Sequence, residues 1–253
     1  MADSTFTHWA VNLDYKNPKK LKKRERQVKV MSQDQTITES QMRGNMNRMY
    51  RWTRHVYDAS RKYYLLGRDV LIRRLRPAAD DVVCEIGCGT ARNLIKLAQH
   101  YPYNYFCGID ASDEMLKTAQ SALDKNNLQD SVTVKQGFAQ SFDPVALFSL
   151  KKPVDKFVFS YALSIIPPWK ESFDHALDLL ESGGEIHIID FGSQSGLPRP
   201  FRALLFWWLK MFHVYYKPEI EAHLHALKDS GKGTLKLHHL FGGYAYYAIF
   251  KKH

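Results

Sequence analysis

The chain has 253 residues, 45% hydrophobic and 25% charged, with a formal charge of +10. That length and apolar content allow one good core in a single domain. The N-terminus lacks an apolar run behind a positive start, and no stretch reaches the ~20 apolar residues of a membrane span, so the sequence predicts a protein neither secreted nor transmembrane. Cys84, Cys88 and Cys107 have no partner pair at zinc-site spacing and read as reduced, cytosolic thiols.

The charge is uneven, with eight basic residues against Glu25 alone between Lys16 and Lys29. Such a block is a solvated tail by default. It also suits an anionic membrane surface, at ~1 kcal/mol per Lys or Arg, or RNA phosphates, although no aromatic RNP-type motif supports RNA. Residues 1–45 therefore read as a flexible basic segment and 46–253 as the folded domain. From Asn47 to Arg76 the pattern is helical, with Trp52, Val56, Ala59, Tyr63, Leu66 and Val70 on the face expected to pack. Tyr50, Arg54, Tyr57, Arg61, Tyr64 and Arg68 form an opposite stripe, which fits a lined cleft or an interface, or a plain surface. Gly67 is expected to bend or end this helix, leaving the phase beyond it open.

Val82 to Asn93 follows, a β-branched run feeding a glycine turn and then a helical pattern. Helix is expected over Arg92–His100 and Ser112–Lys125, the latter capped by Ser112, with strands at Tyr105–Ile109, Val132–Gln136 and Lys156–Ser160. Pro167-Pro168 must start a new element. Phe173–Leu180 then reads as helix, Gly183-Gly184 as a turn and Glu185–Asp190 as strand. This alternation means a mostly parallel sheet with helices on both faces. Arg199 to Tyr216 carries an aromatic band too wide for one amphipathic face, suited to a core helix or to one lying in a membrane interface with Arg199, Arg202 and Lys210 reaching headgroups. Thr234–Leu240 and Tyr244–Phe250, joined by Phe241-Gly242-Gly243, read as a closing hairpin.

The glycine turn carries the chemistry. A dinucleotide site needs G-x-G-x-x-G, and counting from Gly87 the third glycine falls on Arg92, so that spacing fails. What stands is acidic-x-Gly-x-Gly-x-Ala from Glu85 to Ala91, with Asp110 closing the second strand, where a carboxylate can accept two ribose hydroxyls. The pattern resembles the nucleoside-binding loop of class I S-adenosylmethionine methyltransferases, with Ala91 in place of their usual third glycine. That resemblance implies an α/β Rossmann-like fold with a mostly parallel seven-stranded sheet, an antiparallel last strand and extra N-terminal helices.

A narrower resemblance rests on Tyr57-Asp58, the 61–69 run, the Glu85–Asn93 loop, Phe159 to Ser164, Ile166-Pro167-Pro168-Trp169 and His187 to Gly192. Together these look like the betaine lipid synthases, within them the diacylglyceryl-homoserine N-methyltransferases, over roughly residues 46–250, with an aromatic-rich insertion at about 197–230. The resemblance implies three successive methylations of one amine on a diacylglyceryl-homoserine lipid. It also implies work at the inner face of a membrane, and a companion enzyme that makes the homoserine lipid. For the cofactor, S-adenosyl-L-methionine, it implies Glu85, Gly87 and Gly89 at the methionine part, Asp110 at the ribose, Met115, Phe138 and Ala139 around adenine and Ser160 at the strand end, with Tyr57 and Arg68 beside it.

Methyl transfer to nitrogen is an in-line displacement that mainly needs alignment, so no metal is required. The amine must shed a proton, for which desolvation or a modest base suffices. Tyr64, Tyr161 and Ser164 are the candidate catalytic residues, the tyrosine faces holding the growing cation at ~0.5 to 2 kcal/mol each. His187 is read first as a satisfied strand histidine. Two rivals remain open: the same fold acting on a soluble amine, and a non-catalytic nucleoside-binding module docking on RNA.

Overall fold

The computed structural model describes residues 65–198 and 216–253. The expectations for the basic segment, its boundary near residue 45, Tyr57, Tyr64 and the rest of the tyrosine and arginine stripe up to residue 64, and the aromatic band over 199–215 lie outside the described residues.

In chain order the described elements are α1 (Arg68–Leu75), β1 (Val82–Ile86), α2 (Arg92–His100), β2 (Tyr105–Asp110), α3 (Asp113–Asn126), β3 (Val132–Gln136) and α4 (Pro144–Phe148). They continue with β4 (Lys156–Ser160), α5 (Trp169–Leu179), β5 (Glu185–Phe191), α6 (Pro218–Asp229), β6 (Gly233–Leu240) and β7 (Ala245–Lys252). The strands form one seven-stranded sheet in the order β3-β2-β1-β4-β5-β7-β6. Pairs among β1 to β5 are parallel, and β7 runs antiparallel to both β5 and β6.

The central strands are apolar on both faces, as a sheet covered on both sides requires. Val83, Phe106, Val158 and Ile189 pack with Leu71, Leu75, Leu94 and Leu123 of α1 to α3, while Cys84, Phe157, Phe159 and Ile188 pack with Phe148, Phe173, Leu177 and Leu224 of α4 to α6. Alternate residues of one strand thus serve opposite layers. Each fully buried side chain of the Phe157 or Phe159 kind contributes roughly 1.5–3 kcal/mol. Cys84, Cys88 and Cys107 are buried and free.

Local signals explain the helix starts. Ser112 caps α3, its Oγ accepting from the Met115 amide at 3.4 Å. Asp143 Oδ1 accepts from the Val145 and Ala146 amides at 2.9 and 3.1 Å ahead of Pro144, making α4, a short helix that hydrophobic periodicity does not reveal. α5 begins at Trp169, four residues before the expected Phe173, because the prolines open the helix: Ser172 bonds back to the Pro168 carbonyl through both its amide, at 2.9 Å, and its hydroxyl, at 2.7 Å. α6 lies inside the stretch expected as an insertion, yet it buries Ile220, Leu224 and Leu227 in the core.

Gly67 breaks the helical pattern as expected, while the faces assigned to its two neighbours do not hold. Gly67 has φ of +84°, a left-handed conformation that interrupts the helix and caps α1. Leu66, assigned to the packed face, is 38% exposed, whereas Arg68, assigned to the opposite stripe, is buried.

At the lower edge of β4 and β5, Glu185 accepts from Lys156 at 2.7 Å and lies 2.9 Å from His187 Nε2. The bond to His187 first, then Lys156, holds the Glu185 carboxyl down at about 2 against its desolvation. A depressed carboxylate contributes stability present above its unfolded value near 4.5, and loses it as pH falls toward 2. Glu185→Gln is expected to remove that acid-side loss, so the wild-type and variant melting temperatures should converge as pH drops from 5 to about 2. A constant gap across that range in calorimetry would rule the linkage out.

Candidate active site

β1 is the strand at which the sheet order reverses, β2 on one side and β4 on the other. A crevice opens there beyond the carboxyl ends of the strands, the place where open parallel sheets bind ligands. The glycine turn fills its floor. The amides of Gly87 and Cys88 both donate to the Ile109 carbonyl, at 2.8 and 2.9 Å, tying the turn to β2. Gly87 sits at φ +74°, and a Cβ built on it would lie 3.1 Å from Ala162 Cβ, so the turn passes close under the chain that leaves β4. Ala91, where the third glycine was expected, takes φ +59°, which costs a side-chain-bearing residue ~1–2 kcal/mol. It is fully buried and its amide donates to Cys88 at 3.0 Å.

Asp110 ends β2 as expected, but its carboxylate is also structural. Oδ2 accepts from the Gly89 amide and Oδ1 from the Ser112 amide, each at 2.9 Å. A carboxylate offers about four lone-pair positions, so a second one on each oxygen suits a pair of vicinal hydroxyls. The Gly137 amide donates to the Asp110 carbonyl at 3.2 Å, bringing the turn with half-buried Phe138 and buried Ala139 beside that carboxylate. Met115 is buried in the first turn of α3.

On the other side of the glycine turn lies a cavity of about 730 Å³, lined among others by Arg68, Glu85, Gly87, Asn93 and Ser160. Glu85 is buried at the end of β1 and accepts from Asn93 Nδ2 at 2.7 Å. Arg68 Nε donates to the Leu65 carbonyl at 3.2 Å. The Ser160 hydroxyl is buried with no hydrogen-bond partner among the described residues. The structure therefore brings Arg68, Glu85, Gly87 and Ser160 together around one cavity. Asp110, Met115, Phe138 and Ala139 form a second group at the ends of β2 and β3, and Gly89 joins the two through Asp110.

Of the candidate catalytic residues, Tyr161 and Ser164 are described, and neither lines that cavity. Tyr161 takes φ +56° directly after β4, packs its ring against Phe191 at 4.6 Å between centroids, and donates its hydroxyl to the Leu66 carbonyl. Burial pushes that hydroxyl well above its ordinary pKa, so it stays protonated. Ser164 is buried behind it, its amide donating to Asp190 Oδ2 at 3.0 Å. His187 has both ring nitrogens engaged, Nδ1 2.7 Å from the Tyr247 hydroxyl and Nε2 2.9 Å from Glu185, and burial lowers its pKa. It is a satisfied strand histidine. Sequence reasoning missed Asn93 and Asp190. The second carried a signal, since an acidic residue closing an apolar strand at the ligand end of the sheet is the same mark that singled out Asp110.

A reversed last strand, a glycine turn at the switch point and a carboxylate at the end of β2 define the class I S-adenosylmethionine methyltransferases. Residues 78–233 match the methyltransferase domain family, and the chain belongs to it. An uncharacterized protein of Methanocaldococcus jannaschii is 25% identical over 129 residues, 51% of this chain and 33% of its own length, so this chain corresponds to about a third of that relative. Among solved structures, a candidate S-adenosyl-L-methionine-dependent methyltransferase from Methanococcus maripaludis is similar at TM-score 0.56 and 16% identity, over 86% of this chain and 94% of that one. A methyltransferase from Thermotoga maritima, described as a possible histamine N-methyltransferase, is similar at TM-score 0.58 and 17% identity, over 82% of this chain and all 100% of that one. At these identities the likeness is one of fold. The chain carries a methyltransferase domain, and among its described residues no helix is long and apolar enough to cross a membrane.

Proposed function

We propose that the protein is an N-methyltransferase that methylates the amine of diacylglyceryl-homoserine three times, giving the trimethylated betaine lipid. The observation that carries this reading is Arg68, a buried cation at the start of α1 that lines the cavity beside Glu85, Gly87 and Ser160. It is the last residue of the tyrosine and arginine stripe, and a guanidinium there suits a carboxylate, of the homoserine headgroup or of the donor. Bound S-adenosylmethionine supplies an electrophilic methyl group on a sulfonium sulfur. Glu85, Gly87 and Gly89 hold its methionine part, Asp110 its ribose, and Met115, Phe138 and Ala139 its adenine. Tyrosines of the stripe, Tyr57 and Tyr64 among them, on this reading hold the cation that grows with each transfer, and buried Tyr161 supports the strand end from behind. On this reading the protein works on the cytoplasmic face of a membrane, held there by the basic segment and the aromatic band, next to the enzyme that makes its lipid substrate. RNA has no place in it.

The test is mass spectrometry of a reaction of the purified protein with S-adenosylmethionine and diacylglyceryl-homoserine in mixed micelles, with free homoserine in parallel. Gains of one, two and three methyl groups on the lipid alone are expected. Methylation of homoserine instead moves the substrate to a soluble amine, the class the Thermotoga neighbour's name also points to. No transfer to either, with the donor bound, sinks the lipid reading.

A further inference from the structure

The chain that leaves β4, residues 161–166, runs beside the glycine turn and is tied down by two oppositely charged side chains, buried Asp190 and half-buried Lys217. From β5, Asp190 Oδ2 accepts from the Ser164 amide at 3.0 Å, while Oδ1 accepts from the Phe191 amide at 2.8 Å. From the residue preceding α6, Lys217 Nζ donates to the Leu163 carbonyl at 3.1 Å and to the Ile166 carbonyl at 3.4 Å. The start of the loop is pinned as well, the Tyr161 amide donating to Ile189 at 2.7 Å. Asp190 is 1% exposed. A buried carboxylate is costly unless donors and a cation compensate it, so a wholly structural tie at this place would be better built from uncharged groups. The loop begins directly after Ser160, which lines the cavity, and its Ala162 abuts the glycine turn at Gly87. A shift of the loop therefore reaches both the donor side and the strand end where the amine is methylated.

We propose that Asp190 and Lys217 are a pair of positioning residues that hold the 161–166 loop in its transfer-competent form, and that the loop loosens when Asp190 loses its charge. The proposal rests on the methyltransferase reading and adds to it a proton-controlled step remote from the cofactor contacts. The groups facing Asp190 are Ser164 and Tyr161 from the loop, Lys217 before α6, and Tyr246, its direct partner in register on β7. The Tyr246 hydroxyl is buried with no hydrogen-bond partner among the described residues, and Glu221 and Tyr216 lie beyond it. Burial raises the Asp190 carboxyl to about 6 against the pull of Ser164, Phe191 and Lys217, placing the change of charge just below neutral pH. Lys217 also follows directly in sequence on the aromatic band, so the same cation links the residue after that band to the loop.

Stability and activity should respond to pH in opposite directions. A carboxyl raised in the folded state favours folding most when protonated, so its contribution is complete below its usual value of 3.8 and is lost as pH rises through about 6. If the ionised form positions the loop, turnover instead falls as pH drops through the same window. A purely structural carboxylate would move the two together.

The experiment uses full-length protein and the variants Asp190→Asn and Lys217→Met. Amide hydrogen exchange over residues 161–166 is measured with S-adenosylhomocysteine bound. Turnover of diacylglyceryl-homoserine in micelles and melting temperature are followed from pH 5 to 8.5. Each variant is expected to speed exchange of the loop at least about ten-fold and to lower kcat at pH 8 at least about ten-fold. Affinity for S-adenosylhomocysteine should fall by less than kcat does, since neither residue is placed on the cofactor and the loop meets the donor side only through Ser160 and Ala162. Asp190→Asn should lose the fall in kcat below about pH 6 and should gain melting temperature on the wild type as pH rises past it. Unchanged loop exchange in both variants, or kcat within two-fold of wild type at pH 8, overturns the proposal. Should Asp190→Asn not fold, Lys217→Met decides by the same readouts. If the wild type itself leaves the lipid unmethylated, the substrate reading has failed, and loop exchange alone decides whether the pair anchors the loop.

Discussion

Asp110→Ala is expected to weaken binding of the methyl donor at least about 100-fold and to lower stability by about 1–3 kcal/mol. The first effect follows from removing two charge-assisted bonds to a ribose, each of the ~1.5 kcal/mol size that multiplies to two orders of magnitude. The second follows from the geometry of the turn. The Gly89 and Ser112 amides both donate to this carboxylate, and alanine leaves them buried and unpaired. Asp110→Asn separates the two effects, because its one carbonyl oxygen still accepts from one amide while its amide group cannot accept a second hydroxyl. Titration calorimetry with S-adenosylhomocysteine and a thermal melt of both variants is the measurement. Affinity within three-fold of wild type in Asp110→Ala removes the ribose role whatever happens to stability.

Gly87→Val should cost about 2–4 kcal/mol of stability and abolish measurable donor binding. Two independent penalties add. At φ +74° a β-branched residue is held in a conformation it avoids, at ~1–2 kcal/mol, and its side chain is driven into Ala162, 3.1 Å from the position of the new Cβ. The turn relieves both by swinging off β2, giving up the bonds of the Gly87 and Cys88 amides to Ile109. Gly87→Ala carries the backbone penalty with less overpacking and should fall between the wild type and the valine variant in both melting temperature and affinity. Donor binding retained by Gly87→Val would mean that the turn does not approach the donor closely.

The sheet was legible because the central parallel strands are buried on both faces and read as short apolar runs between turn residues, and the closing hairpin because Phe241-Gly242-Gly243 leaves it little choice. The glycine-turn part of the candidate site was legible as a spacing, since Glu85, Gly87, Gly89 and Asp110 sit at fixed intervals along one strand, turn and strand. Less visible was what a spacing cannot encode. That Asp110 also holds two loop amides, that Tyr161 gives its hydroxyl to Leu66, and that Asp190 and Lys217 meet the same loop all depend on contacts between residues distant in sequence. The misassigned faces of Leu66 and Arg68 have a local cause, because they flank Gly67, whose left-handed conformation breaks the helical phase on which those assignments were counted.

The switch point that makes the crevice also sets the order in which the molecule can be assembled. β1 meets β2 after a single short crossover, but it meets β4 only when Val83 finds Lys156, with β2 and β3 already accounted for in between. Closing a loop of that length must precede any reward from the contact, and topologies of this kind nucleate locally and complete slowly. The half-sheet of β1, β2 and β3 can therefore form before the crevice has its second wall. Until β4 docks, Cys84 and Cys107, neighbours in register on β1 and β2, lie on a sheet face still lacking Phe157 and Phe159, and the thiols that the finished core hides are open to solvent. Most of the residues assigned to the methyl donor lie in that first half-sheet, so what β4 adds is the second wall and the cover over the thiols, and a reducing environment matters most to this protein in the interval before it docks.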